Sequence, residues 1–140
     1  MLTGEFRHSL DAKNRIFMPA KLREELGETF MIARDIREKC LKVYSLEGWA
    51  AYTAPIKEQP RQLAEQVMRL LHRSAAQVTP DSQGRVLLPP MLVEYAEIEK
   101  NAVVVGCSDY AEIWAAETYD AAMSEEDPEA LCAALEALGL

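Results

Sequence analysis

Leu10-Asp-Ala-Lys-Asn-Arg-Ile-Phe-Met-Pro19 and Pro80-Asp-Ser-Gln-Gly-Arg-Val-Leu-Leu-Pro89 are the two stretches on which the fold turns. Asp, Arg and Pro recur in them, at Asp11, Arg15 and Pro19 and again at Asp81, Arg85 and Pro89, always 70 residues apart. The same separation aligns Leu22 with Leu92, Glu24 with Glu94, Glu47 with Glu117 and Ala51 with Ala121. It also aligns similar residues: Ile16 with Val86, Val43 with Ile113, Tyr44 with Trp114, and Trp49 with Tyr119. The alignment needs no gap, so two copies of one unit fill the 140-residue chain as 1–70 and 71–140. A fixed internal period of this kind takes precedence over any local pattern.

Each copy follows the same local grammar. A strand leads into a tight turn at Asp-Ala-Lys-Asn or Asp-Ser-Gln-Gly, and a second strand follows, 15–18 in one copy and 85–88 in the other. Gly84 suits a turn position with positive φ. Asn14 holds the equivalent place, and Asn tolerates that conformation better than other side chains. Proline then opens a short helix, which Gly27 ends in the first copy. A hairpin comes next, with arms at 30–34 and 40–44, and at 102–107 and 110–114. Helices close each copy, starting at 45–49 and 116–120. The longest covers 60–73, with Leu63, Val67, Leu70 and Leu71 at helical spacing, and another covers 128–138 with Leu131, Leu135 and Leu138. A single copy has little core and would be marginal alone. Pairing the two predicts an α+β protein: one closed β-barrel built from both repeats, which removes exposed strand edges, flanked by helices. At Pro80, which lacks a backbone donor, the spacing predicts an unpaired strand position.

Composition narrows the function classes. Three cysteines, Cys40, Cys107 and Cys132, are widely spaced, with no C-x-x-C pair, which argues against a disulfide framework and for a reducing cytosol. No apolar run is long enough for a membrane helix, and the N-terminus lacks the build of a secretory signal. The net charge of −8 by itself speaks against nucleic acid, but it is unevenly spread. Residues 1–73 hold 13 Lys/Arg against 10 Asp/Glu, a net of +3, and residues 74–140 hold 2 against 13, a net of −11. An anionic partner would meet the first half. His8 and His72 have no ligand companions at metal spacing, and His72 is expected to be solvated or to cap its helix end. No phosphate loop or nucleophile elbow is present, so neither a cofactor nor a small-molecule substrate is expected and the chain does not read as an enzyme. The aromatics that recur at equivalent places, Tyr44 with Trp114 and Trp49 with Tyr119, are expected in the core.

Met-Leu-Thr-Gly-Glu-Phe at the start, Leu-Asp-x-Lys-x-Arg-x-x-x-Pro-Ala-Lys-x-Arg over 10–23, and Asp81-Ser-Gln-Gly-Arg-Val-Leu-Leu-Pro-Pro resemble the MraZ family, as do Tyr44 with Trp49 and Val103-Val-Val-Gly106 with Glu112-Ile-Trp114. The resemblance covers the chain from Met1 to about Met123. It implies two AbrB-like swapped-hairpin units in one double-psi-type barrel and ring-shaped homo-oligomers. It also implies a bacterial cytoplasmic, nucleoid-associated regulator that binds double-stranded DNA at short direct repeats upstream of the division and cell-wall gene cluster, usually including its own promoter. Asn14, Val93 and Pro80 depart from the family pattern, where glycine, arginine and an ordinary strand residue are common. Val93 weakens the case that the second copy touches DNA.

The resemblance makes Lys13 and Arg15 the DNA contacts, with Arg7 as a weaker candidate on a neighbouring strand. Chemistry supports the choice: arginine pairs bidentately with guanine O6 and N7, and positions i and i+2 of extended chain share a face. Asp11 and Asp81 are expected to brace their turns, with Asn14 and Gly84 supplying the conformation. Arg85 is expected to be structural, because Gln83 replaces the lysine and its half is acidic. Lys21 and Arg23 are weaker candidates. The competing reading is an antitoxin-like or scaffold protein of the same barrel class, whose acidic second half binds a protein partner.

Overall fold

In the computed structural model, which describes residues 1–140, the chain forms eight strands and six α-helices. The strands are β1 (Glu5–Ser9), β2 (Arg15–Phe17), β3 (Phe30–Arg34), β4 (Leu41–Ser45), β5 (Ala76–Val78), β6 (Arg85–Leu87), β7 (Asn101–Gly106) and β8 (Ala111–Ala115). The helices are α1 (Ala20–Leu26), α2 (Leu46–Thr53), α3 (Arg61–His72), α4 (Pro90–Tyr95), α5 (Ala116–Ser124) and α6 (Pro128–Ala137), with a 3₁₀ turn over Ala54–Glu58. Every element expected from the sequence is present, and most bounds agree within a residue or two.

The pairing of the strands is where the structure adds most. The Asp11 turn does not close a hairpin between the strands that flank it. Instead β1 pairs with β7 of the other half, β5 pairs with β3, and β2 pairs with β6, all antiparallel. The six-stranded sheet runs β1-β7-β8-β4-β3-β5, an order that reverses into itself when the halves are exchanged. β2 and β6 form a separate two-stranded ribbon. Two facing pairs, Ile16 with Val86 and Lys42 with Glu112, each join residues 70 apart. Each such pair maps onto itself under exchange of the halves, so a pseudo-two-fold axis passes through the middle of the ribbon and the middle of the sheet.

Two expectations need correction. Hydrogen bonding does not close the sheets into a barrel, since β1 and β5 are free edges and the ribbon stands apart. β2 and β6 are only three residues long, and Pro19 and Pro89 end their run soon after by lacking N–H groups. The repeat is also not gap-free in space. Met31 faces Tyr44 and Val103 faces Trp114, so β3 and β7 correspond at 72 residues and not 70. The link before β7 is longer by two residues and the β7–β8 turn shorter by two, and loops absorb such changes readily. The 128–138 segment is helical as expected, and no residue of α6 is buried. At Pro80 the expectation holds: Leu10 N–H donates to Lys100 O at 2.7 Å, Pro80 has no N–H for the equivalent bond, and β5 stops at Val78.

One core serves both halves. Twenty buried apolar residues pack together, ten from each half, among them Ile16, Met18, Leu22, Phe30 and Leu41 from the first and Val86, Leu88, Leu92, Val104 and Ile113 from the second. The recurring aromatics are buried in two flanking clusters, Tyr44 with Trp49 and Trp114 with Tyr119. Each helix that follows the ribbon contributes its i, i+4 apolar face, for example Leu22 and Leu26. Ser45 caps α2 by accepting from the Gly48 N–H at 2.9 Å.

Candidate nucleic-acid interface

The Asp-x-x-x-Arg turn is a self-contained brace, built the same way twice. Asp11 Oδ1 accepts from the Lys13 and Arg15 N–H groups at 2.9 and 2.8 Å, and Arg15 Nε donates to Asp11 Oδ2 at 2.8 Å. Asp81 Oδ1 accepts from the Gln83 and Arg85 N–H groups at 2.9 Å each, and Arg85 Nε donates to Asp81 Oδ2 at 2.9 Å. Asn14 and Gly84 complete the turns with φ of 59° and 80°. The Arg15 N–H bond holds the Asp11 carboxyl below its ordinary range, helped by the Arg15 side chain and the Lys13 N–H and opposed by desolvation. The Arg85 bonds do the same for Asp81. Asp11 and Asp81 thus brace their turns, and Asn14 and Gly84 supply the left-handed positions.

The ribbon joins the two turns. Met18 N–H donates to Gly84 O at 2.9 Å and Leu88 N–H donates to Asn14 O at 2.8 Å, so each turn is stitched to the other half's strand. Arg85 Nη1 lies 4.0 Å from Asp11 Oδ2 across the axis. Side chains alternate along a strand. Ile16 and Val86 point into the core, so Arg15 and Phe17, with Arg85 and Leu87, line the outer face. The Arg15 and Arg85 side chains are 29% and 32% exposed, held by Nε with the Nη groups outermost on the guanidinium. Lys13 at the turn tip is exposed and makes no ion pair.

The structure places Arg85 as it places Arg15, so the brace itself does not separate a contacting copy from a structural one. The surroundings do differ. Arg23, only a minor candidate in the sequence, is anchored by Nε to Met18 O at 2.8 Å, and its guanidinium lies over the Phe17 ring and against Gly84. The space that a Cβ at Gly84 would need is filled by that guanidinium, at 2.9–3.1 Å. Arg23 thus brings a positive group from the first half to the second turn, which has Gln83 in place of a lysine. At the repeat-equivalent position of Arg23 stands Val93, which packs against the core. Glu24 and Glu28 share a shallow depression with Arg23 and Asp81, so negative charge also borders the second turn.

Arg7 is committed elsewhere. Its guanidinium donates twice to the Asp120 carboxylate, at 3.2 and 2.7 Å, and lies over the Tyr119 ring. That pairing lowers the Asp120 carboxyl, and no ion pair links Arg7 with the turn residues. Tyr119 donates to Glu5, which pushes its hydroxyl up to about 12, so β1 is tied to α5 by side chains as well as to β7 by the sheet. His72 is exposed in the last turn of α3, as expected, and also makes a tertiary tie. Its Nε2 accepts from the Trp49 indole N–H at 3.0 Å while Nδ1 lies 2.9 Å from Met68 O, which ties α3 to α2.

These features define a class: a tandem-repeat α+β protein whose halves exchange strands about a pseudo-two-fold axis and expose a pair of arginine-bearing turns. The chain belongs to the MraZ family, whose model, described as "MraZ protein, putative antitoxin-like", matches residues 1–73 and again 71–137. It is 44% identical over 119 residues to the transcriptional regulator MraZ of Lactiplantibacillus plantarum, covering 84% of each chain. It is 41% identical over 122 residues to the transcriptional regulator MraZ of Thermoanaerobacter sp. (strain X514), covering 86% of this chain and 85% of the relative. It is 37% identical over 129 residues to that of Dictyoglomus thermophilum, covering 91% and 88%. No helix is long and apolar enough to cross a membrane.

Proposed function

We propose that the protein is a sequence-specific DNA-binding transcriptional regulator. It reads short direct repeats upstream of the division and cell-wall gene cluster, its own promoter among them. It acts as a ring-shaped homo-oligomer in the bacterial cytoplasm, associated with the nucleoid. The observation that carries this reading is the pair of axis-related turns on the β2–β6 ribbon, with Arg15 and Arg85 outward and Lys13 exposed at the tip of the first. The relatives' names as transcriptional regulators point the same way.

A two-stranded ribbon is narrow enough to enter the DNA major groove, where arginine distinguishes guanine by its two acceptors. Bracing by Asp11 holds the Arg15 guanidinium in place before DNA arrives, which lowers the ordering cost of contact. The first turn is the principal contact, because it carries Lys13 where the second has Gln83. Arg7, neutralised by Asp120, is the weakest of the proposed contacts. Each phosphate neutralised steepens the log–log salt dependence of binding by about 0.9. One protomer has few such groups, so several copies must act together on repeated sites.

The test is binding of the purified protein to its own upstream DNA across a salt series, wild type against Arg15→Ala and Lys13→Ala. Arg15→Ala should lose specific binding while remaining folded and assembled. Lys13→Ala should weaken binding to all sequences alike and flatten the salt slope by about one phosphate's share. Equal binding by wild type and Arg15→Ala would move the DNA surface elsewhere. No specific binding even at low salt would favour the protein-partner reading, which the family description as antitoxin-like suggests.

A further inference from the structure

We infer that α6 is the docking arm of a head-to-tail contact between copies of this chain, and that its receptor is an apolar groove on the first half of the neighbouring copy. α6 is a regular helix: Asp127 Oδ1 caps it by accepting from the Glu129 N–H at 3.0 Å, and the turn at Gly139 closes it. Yet all its residues are exposed. Leu131, Leu135 and Leu138 are 50%, 47% and 73% exposed at i, i+4 and i+7, one continuous apolar stripe. A ten-residue helix is marginal in water unless a face is covered. The corresponding helix of the first half, α3, packs on the 3₁₀ turn and β3 and leaves Val67 and Leu71 only partly covered.

The receptor is a groove of about 300 Å³ between α2, the 3₁₀ turn, α3 and the β3–β4 loop, lined by Ile36, Arg37, Tyr52, Ile56, Val67 and Leu71. Ile36 and Tyr52 are 44% and 43% exposed there. Charge selects the occupant. Residues 125–140 carry Glu125, Glu126, Asp127, Glu129 and Glu136 and no Lys or Arg, a net of −5. Residues 36–73, which build the groove, carry seven Lys/Arg against four Asp/Glu, a net of +3. Two α6 helices would repel each other, whereas α6 on this groove brings opposite charges together at its rim and apolar groups at its centre. The two surfaces lie on different halves, so the contact is heterologous: every copy keeps a free arm at one end and a free groove at the other.

The inference rests on the proposed self-association, and mixing full-length variants separates the two. Leu135→Asp spoils the arm and Ile36→Asp spoils the groove, and both positions are surface-exposed, so circular dichroism should show folded proteins. Light scattering should find the wild type as multiples of the protomer mass and each variant alone as monomer. Their equimolar mixture should form a one-to-one heterodimer, since one intact arm still meets one intact groove. A wild type that stays monomeric at all concentrations overturns both readings. An oligomeric wild type whose Leu135→Asp variant keeps the same mass overturns the docking arm and leaves self-association standing. An Ile36→Asp variant that keeps the wild-type mass while Leu135→Asp is monomeric overturns the groove as receptor, and monomeric variants that fail to form the heterodimer overturn the arm-on-groove pairing.

Discussion

Asp11 and Asp81 show how much a single carboxylate can organise. Each accepts two backbone N–H groups and one guanidinium N–H, so it fixes the turn and aims the arginine in the same act. Because both carboxyls are held below their ordinary range, their contribution to stability is present above about pH 4, the unfolded value, and is lost as pH falls through the depressed folded value. Asp11→Asn should therefore lower Tm at pH 7, and the gap to wild type should narrow as the melts are repeated at successively lower pH, through the depressed folded value. Gly84 is the other single-residue lever. Gly84→Ala places a Cβ at positive φ, costing about 1–2 kcal/mol, and drives it into the Arg23 guanidinium. Urea titration should register the stability loss, and DNA affinity should fall with it because Arg23 is displaced. Asn14→Gly, which meets no such conflict, should be close to neutral in the same titration.

At the scale of elements, the β2–β6 ribbon carries the burden. Three residues a side is too short to stand alone, and it persists because Ile16 and Val86 plug the shared core at the axis while the turns are stitched across it. Ile16→Ala should cost about 2–5 kcal/mol by denaturant unfolding, and Val86→Ala somewhat less. The double variant should depart from additivity, since the two side chains face each other and share one cavity. The individual elements were legible in the sequence because they depend on local chemistry: proline after each ribbon strand, Asn or Gly at the turn, a serine cap at Ser45. The two-residue slip that relates β3 to β7 was already implicit in the hairpin arms at 30–34 and 102–107, but the exact register was not legible. Nothing local marks it, since Ala102 and Val104 satisfy the same inward pattern as Phe30 and Ile32.

The whole molecule behaves as one unit because neither half keeps a core of its own. β1 and β5 each complete the other half's sheet, and the core draws equally on both. Thermal unfolding should accordingly be a single transition with equal calorimetric and van't Hoff enthalpies, and a fragment of residues 1–70 should give the circular dichroism of an unfolded chain. Two separated melting steps would show that the halves are independent after all. Charge is likewise a property of the whole, since the positive half bears the proposed DNA face while the acidic half ends in α6.

The sequence alone determined that the protein is a duplicated α+β unit, where each turn, strand and helix lies, and which arginines the turns carry. These follow from backbone conformation, capping and periodicity, which act over a few residues. Only the tertiary structure decided that neighbouring strands separate and pair across the halves, that the sheet stays open, that Arg7 is tied to Asp120, and that Arg23 serves the other half's turn. Strand edges offer the same N–H and C=O groups to any partner. The choice among partners is made by which arrangement buries both apolar faces at once, a property no short stretch of sequence contains.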